Sequence, residues 1–289
     1  MVLNPAAGPK PTSPDEVGAA LDAASVEHDL VAPGSAEEAA DAIREAAAHG
    51  RARFAVAGGD GTLNLAANTL LSLDLDEKPV LGALPAGTGC DLLRTFGIPQ
   101  DLSLAARHLA TDDTYDIDVA ALEGDWGARW FLNAAQAGVG AAAVGAAAKL
   151  PRRMGATRYP AAFCAKLPRF PRAQVTVTTE RGARESEALA TIAANGQFFA
   201  GGWNVAPKAT LIDGLIDIQV INAAKTRAPA LVPKLIKGAH LQDPAVRRLT
   251  ASEFTIETTP VWPVEADGDL VGSTPVSGRV VPAAIRLSI

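Results

Sequence analysis

Residues 54–64 read Phe-Ala-Val-Ala-Gly-Gly-Asp-Gly-Thr-Leu-Asn, an apolar run that breaks into three glycines and then into a helical pattern. Glycine tolerates positive φ and lets backbone N–H groups approach an anion closely. Thr62 suits the N-cap of the following helix, whose free N–H groups and dipole favour negative charge. A carboxylate at Asp60 repels phosphate unless a cation or a transferable proton lies between them. The stretch indicates either a phosphate-binding turn for metal-assisted phosphoryl transfer or an ordinary strand-to-helix turn capped by Asp60.

The first half of the chain alternates strand and helix patterns. A Ser-x-x-Glu capping box begins at Ser35 and is followed by apolar residues at helical spacing, which predicts a helix over 35–49. Apolar runs at 54–57 and 80–84 predict two strands, and Val2-Leu3 has the pattern of a strand end. This alternation favours an α/β fold with a parallel sheet.

A second glycine turn follows the second of these strands. It reads Pro-Ala-Gly-Thr-Gly-Cys-Asp over 85–91 and leads into a helical pattern at 92–96. In a parallel sheet both glycine turns would open at the carboxyl edge, where ligands bind. Thr88 would then donate to phosphate and Asp91 would reach the same metal, unless the stretch is a plain connecting loop.

The second half has a different pattern. Short alternating or β-branched runs begin at Ala173 and are separated by turns rich in glycine and proline, which predicts a mainly antiparallel β domain. A helical insert is expected at about 225–248. The change between the two patterns falls near 116–118.

Composition limits the function classes. The 289 residues are 48% hydrophobic and 20% charged, as in a globular protein with an ample core, and the net charge of -6 argues against a general nucleic-acid binder. Cys90 and Cys164 are too few for a disulfide framework or a metal-ligand cluster. The N-terminus lacks a signal-peptide pattern, and the apolar stretch 131–150 is too rich in alanine and glycine for a membrane span. We therefore expect a cytoplasmic protein.

One segment concentrates positive charge. No acidic residue lies between Asp125 and Glu180, while the segment 149–172 mixes arginine and lysine with apolar and aromatic side chains. This composition fits either peripheral contact with the inner face of an anionic membrane or a solvated basic surface.

The glycine motifs belong to an ordered series. Gly-Gly-Asp-Gly-Thr at 58–62 is followed by Leu-Gly-Ala-Leu-Pro-Ala-Gly-Thr-Gly-Cys-Asp-Leu-Leu-Arg at 81–94. The rest of the series comprises Asn4-Pro5-x-x-Gly8, Phe131-Leu132-Asn133, Asn195-Gly196, Gly201-Gly202, Pro207-x-Ala209, Asp213-Gly214-Leu215 and Asp267-Gly268. This order resembles the diacylglycerol kinase catalytic-domain family, which includes bacterial lipid kinases and the sphingosine and ceramide kinases. The first motif alone would also fit NAD kinases and phosphofructokinases.

The resemblance implies an architecture and a reaction. The N-terminal nucleotide-binding α/β domain, similar to NAD kinase and phosphofructokinase, would cover 1–120, and a β-rich lipid-substrate domain would cover 121–280. The last strand, 281–289, would return to the first domain. The implied activity is phosphorylation of a hydroxyl on diacylglycerol or a related lipid, with ATP and Mg²⁺ as cofactors.

The resemblance also assigns roles at the nucleotide site. Asp60, Asp91 and Asp118 would organise magnesium directly or through water. ATP would be held by Asn4, Gly58, Gly59, Asp60, Gly61, Thr62, Asn64, Gly87 and Thr88.

In the second domain the family's Asp-Gly-Glu motif, whose Glu is the base on the lipid hydroxyl, is present as Asp267-Gly268-Asp269, so Asp269 is the expected base. A structural magnesium is implied at the Asp213 side chain and the backbone carbonyls of Thr210 and Leu215, because this hard cation prefers oxygen ligands.

Two departures keep alternatives open. Cys90 stands where the family has Asn, and Asp269 is one methylene shorter than Glu. A lipid- or nucleotide-binding regulator with decayed catalysis is therefore an alternative to the lipid kinase. A kinase of NAD or of a soluble metabolite is another, although it leaves the Asp213 segment unexplained. A homodimer is also open.

Overall fold

The computed structural model describes residues 1–8, 11–86 and 90–289, except for the side chains of Arg152 and Ala156. The chain divides into two compact units. Unit 1 comprises Met1–Asp118 and Pro282–Ile289, and unit 2 comprises Val119–Val281. Both boundaries fall inside strands.

The elements follow one another in the alternating order expected for the first half and the strand-rich order expected for the second. In the first half they are β1 (Val2–Leu3), α1 (Pro14–Ala23), α2 (Ala36–Ala48), β2 (Arg53–Gly58), α3 (Asp60–Leu71), β3 (Val80–Pro85), α4 (Asp91–Thr95), α5 (Leu102–Leu109) and β4 (Thr114–Gly124). In the second half they are β5 (Gly127–Phe131), β6 (Ala134–Gly138), α6 (Val139–Ala147), α7 (Arg158–Lys166), β7 (Ala173–Thr179), β8 (Gly182–Ala188), β9 (Ala190–Ala194), β10 (Ile216–Ile221), α8 (Ala228–Lys237), β11 (Val246–Ala251), β12 (Glu253–Thr259), β13 (Pro263–Ala266), β14 (Asp269–Ser273) and β15 (Val276–Ser288).

Unit 1 is built on a parallel sheet. Its strand order is β1-β2-β3-β15, and β3 pairs in parallel with the last part of β15. The strands are short apolar runs, as expected where helices cover a sheet. Gly82 lets α5 pack closely on β3, because a Cβ there would lie 2.3 Å from Leu109 Cδ2. The parallel arrangement places the carboxyl ends of β1, β2 and β3 at one edge.

Helix α2 begins where the capping pattern predicts. The Ser35 hydroxyl accepts from Glu38 N at 3.1 Å. In a capping box the Glu38 carboxylate would accept from the backbone N–H of Ser35. Here it accepts from Gly34 N, one residue earlier, at 2.7 Å. The cap still satisfies backbone donors at the helix start.

Unit 2 is mainly antiparallel, which confirms the expected class. One sheet has the order β11-β10-β9-β6-β13-β14. In a second group, β12 lies between β7 and the first part of β15, β7 pairs with β8, and β4 forms a hairpin with β5. Side chains of both groups, including the fully buried Phe131 and Trp262, form one hydrophobic core.

The helical insert expected at about 225–248 is shorter than predicted. Helix α8 ends at Lys237 because Gly238 adopts a left-handed C-cap with φ 71°. A 3₁₀ turn follows at His240–Gln242, and the chain then pairs with β10 as β11, beginning at Val246. None of the helices in the described parts of the chain has the length and apolar character needed to cross a bilayer.

Candidate active site

Three turns meet at the carboxyl edge of the parallel sheet in unit 1. Asn4 N, directly after β1, donates to Ala57 O at 2.9 Å. Ala86 N, directly after β3, donates to Gly58 O at 3.1 Å. The two glycine turns and the opening turn are therefore neighbours. Gly87 and Thr88, expected in the same place, lie outside the described residues.

The first glycine turn is built differently from the sequence expectation. Helix α3 begins at Asp60, with Gly59 as N-cap in an extended conformation, so the assignment of Thr62 as N-cap was wrong. The Thr62 hydroxyl instead accepts from Asn4 Nδ2 at 3.1 Å, which ties the opening turn to the helix. Left-handed backbone does not explain the glycines, since φ of Gly59 is -110°.

Two of the glycines have other physical reasons. A Cβ on Gly58 would lie 2.6 Å from Thr62 Oγ1, so this position needs glycine for close packing. A Cβ on Gly61 would meet no atom within 4 Å. Gly61 is exposed in the first turn of α3, where free N–H groups are available to an anion. The chain's own packing therefore does not require glycine at 61.

Two of the residues expected to organise the metal, Asp60 and Asp91, are joined by a hydrogen bond from the backbone of one to the side chain of the other. Asp91 N, at the start of α4, donates to Asp60 Oδ1 at 2.6 Å. Asp91 is buried, and its Oδ1 lies 3.5 Å from Arg94 Nε. Burial, followed by the nearby Asp60 carboxylate, raises the pKa of the neighbouring Cys90 thiol, which therefore stays protonated. The structure thus brings Asp60 and Asp91 together around a neutral, buried thiol.

The other predicted nucleotide-site residues have their own partners. Asp118 is buried, and its Oδ1 accepts from Ala283 N at 2.8 Å. Asn64 is buried on α3, and its Oδ1 accepts from Asn68 Nδ2 at 3.1 Å. In residues 1–8, 11–86 and 90–289, no three His, Cys, Asp or Glu side chains gather closely enough to form a metal cluster.

In unit 2 the side chain of Asp267 hydrogen-bonds the Asp267-Gly268-Asp269 turn to a distant backbone segment. The Asp267 carboxylate accepts from three successive backbone N–H groups, those of Leu132 at 2.6 Å, Asn133 at 2.9 Å and Ala134 at 3.0 Å. Asp267 and Gly268 both have positive φ, at 46° and 92°. Two motifs that are about 135 positions apart in the sequence therefore form one structural unit.

The candidate base, Asp269, is exposed on β14. Its Oδ2 lies 2.6 Å from Arg129 Nη2, so the carboxylate is oriented by a cation on β5. Glu265, on β13, is fully buried and accepts from Gly268 N at 2.8 Å. Burial raises the pKa of the Glu265 carboxyl well above its ordinary value, and Asp267 and Asp269 act in the same direction, so the surroundings favour the protonated acid.

The segment expected to hold a structural cation forms a turn. The exposed Asp213 accepts from Leu215 N through Oδ1 at 3.0 Å, which places the side chain against its own backbone. Thr210 precedes it in the same loop before β10. The Asp213 carboxylate and the backbone carbonyls of this turn are oxygen atoms of the kind that a hard cation prefers as ligands.

Unit 2 also contains an apolar pocket, lined by helices α6, α7 and α8 and by strands β6, β9 and β10. Phe163, Trp203, Ile221, Leu231 and Leu235 are among its apolar side chains. Sequence reasoning did not find it, because its lining is spread from residue 136 to residue 235.

Comparison with known proteins decides the family. Residues 1–122 match the diacylglycerol kinase catalytic domain, and residues 133–289 match the YegS C-terminal NAD kinase beta sandwich-like domain. A diacylglycerol kinase of Mycobacterium tuberculosis (strain ATCC 25618 / H37Rv) is 32% identical over 259 residues, which are 88% of this chain and 82% of the relative. The chain belongs to the diacylglycerol kinase family. It is a lipid kinase, a transferase, as its sequence motifs predicted.

Other relatives agree with this family. The lipid kinase YegS of Escherichia coli (strain K12) is 27% identical over 250 residues, covering 86% of this chain and 82% of that protein. The crystal structure of a diacylglycerol kinase from Bacillus anthracis str. Sterne has the same fold, with a TM-score of 0.74 at 21% identity over 99% of this chain and 94% of that one. A second solved chain from this bacterium reaches a TM-score of 0.80 at 24% identity, over 99% and 95% of the two chains.

The lipid kinase has residues that suit the cofactors of its family. Membership implies the use of ATP, and the open space beside Gly61 at the start of α3 suits a phosphate group. The Asp60 and Asp91 carboxylates, on residues joined by the hydrogen bond from Asp91 N to Asp60 Oδ1, are oxygen donors of the kind that Mg²⁺ prefers.

Sequence reasoning missed two acidic residues next to the candidate base in unit 2. Asp267 was noted only as part of a motif, and its three N–H partners come from a distant segment. Glu265 carried a usable signal, an acidic residue between Val264 and Ala266 in an apolar strand.

Proposed function

We propose that this lipid kinase transfers the γ-phosphoryl group of ATP to a hydroxyl of diacylglycerol or a closely related lipid, with Mg²⁺ as cofactor. The observation that carries the proposal is the Asp60–Asp91 contact at the first glycine turn, in a segment that matches the diacylglycerol kinase catalytic domain. The relatives named diacylglycerol kinase support the choice of lipid.

The residues of unit 1 would bind and orient the nucleotide. Backbone N–H groups of residues 58–64, together with Thr88, would hold the phosphates. Asp60 and Asp91, with Asp118, would hold magnesium directly or through water. The bound ion supplies positive charge that neutralises the phosphate oxygens. Arg94, next to Asp91, would hold that carboxylate in place.

Asp269 would act on the acceptor. The lipid hydroxyl oxygen forms a bond to the γ-phosphorus, the bond from that phosphorus to the β,γ-bridging oxygen breaks, and ADP leaves. The hydroxyl proton passes to an Asp269 carboxylate oxygen. A base must come within about 2.6 to 3.2 Å of the hydroxyl, directly or through one water. Arg129 orients this carboxylate, and the three N–H groups on Asp267 fix the turn that carries it.

The apolar pocket would hold an acyl chain of the lipid. Its apolar lining suits hydrocarbon and would not suit a soluble metabolite such as NAD. The pocket therefore favours a lipid over the alternative of a soluble-metabolite kinase.

The basic segment would bring the enzyme to its substrate at the inner face of the membrane. Lys149, Arg153, Lys166 and Arg169 are exposed, and the segment includes α7, which also lines the apolar pocket. An anionic lipid surface attracts such a segment. Vesicle binding should rise with anionic lipid content, fall with added salt, and weaken when Arg153, Lys166 and Arg169 are changed to Gln. If vesicle binding responds to neither lipid charge, salt nor these substitutions, the basic segment is a solvated surface that does not contact the membrane.

The substrate class is tested with γ-labelled ATP against a panel of diacylglycerol, a long-chain base and NAD. We expect labelled product from diacylglycerol and none from NAD. Label on NAD alone would replace the proposal by the soluble-metabolite kinase, and no label on any acceptor would favour a binding protein without catalysis.

A further inference from the structure

Two polar side chains converge on the wall of the apolar pocket. A Cβ on Gly140 of α6 would lie 2.2 Å from Gln136 Oε1 and 3.5 Å from Tyr159 Oη, so both oxygen atoms lie over the same point of the helix backbone. Both side chains line the pocket. Glycine at 140 leaves the room that Gln136 Oε1 occupies, with Tyr159 Oη at an ordinary contact distance from the same point.

A buried acid lies behind this pair. Glu265 is the cross-strand partner of Gln136 in the β13–β6 register. Glu265 Oε1 is buried and has no hydrogen-bond partner among the described residues. Burial, followed by the nearby Glu265 carboxyl, raises the pKa of the Tyr159 phenol. Polar groups buried among apolar ones cost stability unless a partner satisfies them.

The polar cluster is linked to the turn that carries the candidate base. Glu265 Oε2 accepts from Gly268 N at 2.8 Å, and Asp269 is the next residue. A lipid whose chain fills the apolar pocket and whose polar atom meets Tyr159 would therefore have its head group on the side of Asp269.

We propose that the Tyr159 hydroxyl binds an ester carbonyl of a diester glycerolipid whose acyl chain occupies the apolar pocket. The phenol supplies an O–H donor, and a carbonyl oxygen is the acceptor that matches it. In diacylglycerol the ester groups lie beside the free hydroxyl, between hydrocarbon and head group. A diether lipid has the same chains and no carbonyl. This assignment rests on the proposed function, with the ester carbonyl as the group by which the pocket distinguishes a diester from a diether lipid.

Cys164 provides a direct measure of binding. It lines the pocket and is exposed, so an occupied pocket should protect it from a maleimide. The other cysteine, Cys90, is buried, so labelling reports on Cys164. The probes are dioctanoylglycerol and its dioctyl diether analogue.

In the parent protein we expect the diester to protect Cys164 at a concentration about three- to tenfold lower than the diether, as for one neutral hydrogen bond. Tyr159→Phe keeps the edge contact of its ring with Trp203 and removes only the hydroxyl, so it should abolish most of this preference without affecting the diether. Tyr115→Phe, at the exposed tyrosine of unit 1, is the matched control and should keep it.

Equal protection by diester and diether in the parent protein, or an unchanged preference in Tyr159→Phe, would overturn the ester site while leaving lipid phosphorylation intact. Protection by neither lipid would also overturn it. A preference that follows Tyr159, in a protein that phosphorylates neither lipid, would support the ester site and reject the proposed function.

Discussion

Gly61→Ala separates a phosphate-binding turn from an ordinary helix start. In the described structure a Cβ at this position meets no atom within 4 Å, and the residue lies in the first turn of α3 without a positive φ. Alanine is the better helix former, by about 0.5 to 1 kcal/mol. The change should therefore leave the fold intact and raise the melting temperature by about 1 to 3 °C.

Although Gly61→Ala should stabilise the fold, it should weaken the binding of ATP. If phosphate approaches the N–H groups at this turn, the added methyl group occupies its space. Loss of one hydrogen bond to a charged oxygen costs about 1.5 to 3 kcal/mol, so the KM for ATP should rise about 10- to 100-fold.

The assay combines thermal unfolding with and without ATP and magnesium with steady-state turnover at varied ATP. Gly18→Ala is the matched control, because Gly18 lies in α1 and its added Cβ would make only an ordinary contact with His28 at 3.9 Å. It should stabilise the protein to a similar degree and leave ATP binding unchanged. A Gly61→Ala protein that binds ATP as well as Gly18→Ala would refute the phosphate-binding turn.

Three further changes probe the remaining assignments. Glu265→Gln should melt at a higher temperature than the parent protein above about pH 5, with a gap that widens as pH rises. In the folded state Glu265 retains a proton that the unfolded state releases near the ordinary glutamate pKa of 4.5, so the parent protein loses stability as pH increases. A gap in melting temperature that narrows with rising pH would contradict a raised pKa for Glu265. Asp213→Ala should remove most of the increase in melting temperature that magnesium produces, without removing the chemistry, and an equal response in mutant and parent would exclude this loop as a cation site. Asp269→Asn should reduce turnover by about 10² to 10⁴, the range for losing a general base, whereas a loss of only a few-fold would mean that the proton goes elsewhere. Asp269→Glu is informative with it, since a gain in rate would show that the site kept the geometry of the longer family residue.

The sequence predicts those parts of the fold whose signals are local. Strands β2 and β3 and helix α2 follow from short apolar runs and one capping serine, because period and caps act within a few residues. Helices α6 and α7 did not emerge, since alanine and glycine in 139–147 give no amphipathic period. The helical insert predicted at about 225–248 ran past the end of α8 into the first residues of β11, because the pairing of β11 with β10 is a tertiary interaction.

The same distinction applies to the site. The glycine turns could be located from residue type alone, and the Asp60–Asp91 contact was anticipated from two turns at one sheet edge. The need for glycine at position 58 could not be predicted from residue type, because it depends on the Thr62 side chain one helical turn later. The three N–H groups on Asp267 and the contact of Gln136 with Glu265 depend on which strands become neighbours, which local patterns do not encode.

The central claim is phosphoryl transfer from ATP to a lipid hydroxyl at the Asp60 turn, and labelled-product formation tests it most directly. With γ-labelled ATP, magnesium and diacylglycerol in mixed micelles, the parent protein should form a lipid that carries the label. Asp60→Asn should fold with an unchanged far-UV spectrum and form almost none, because the site loses the charge that organises magnesium. Labelled lipid formed by Asp60→Asn at the parent rate would contradict the account.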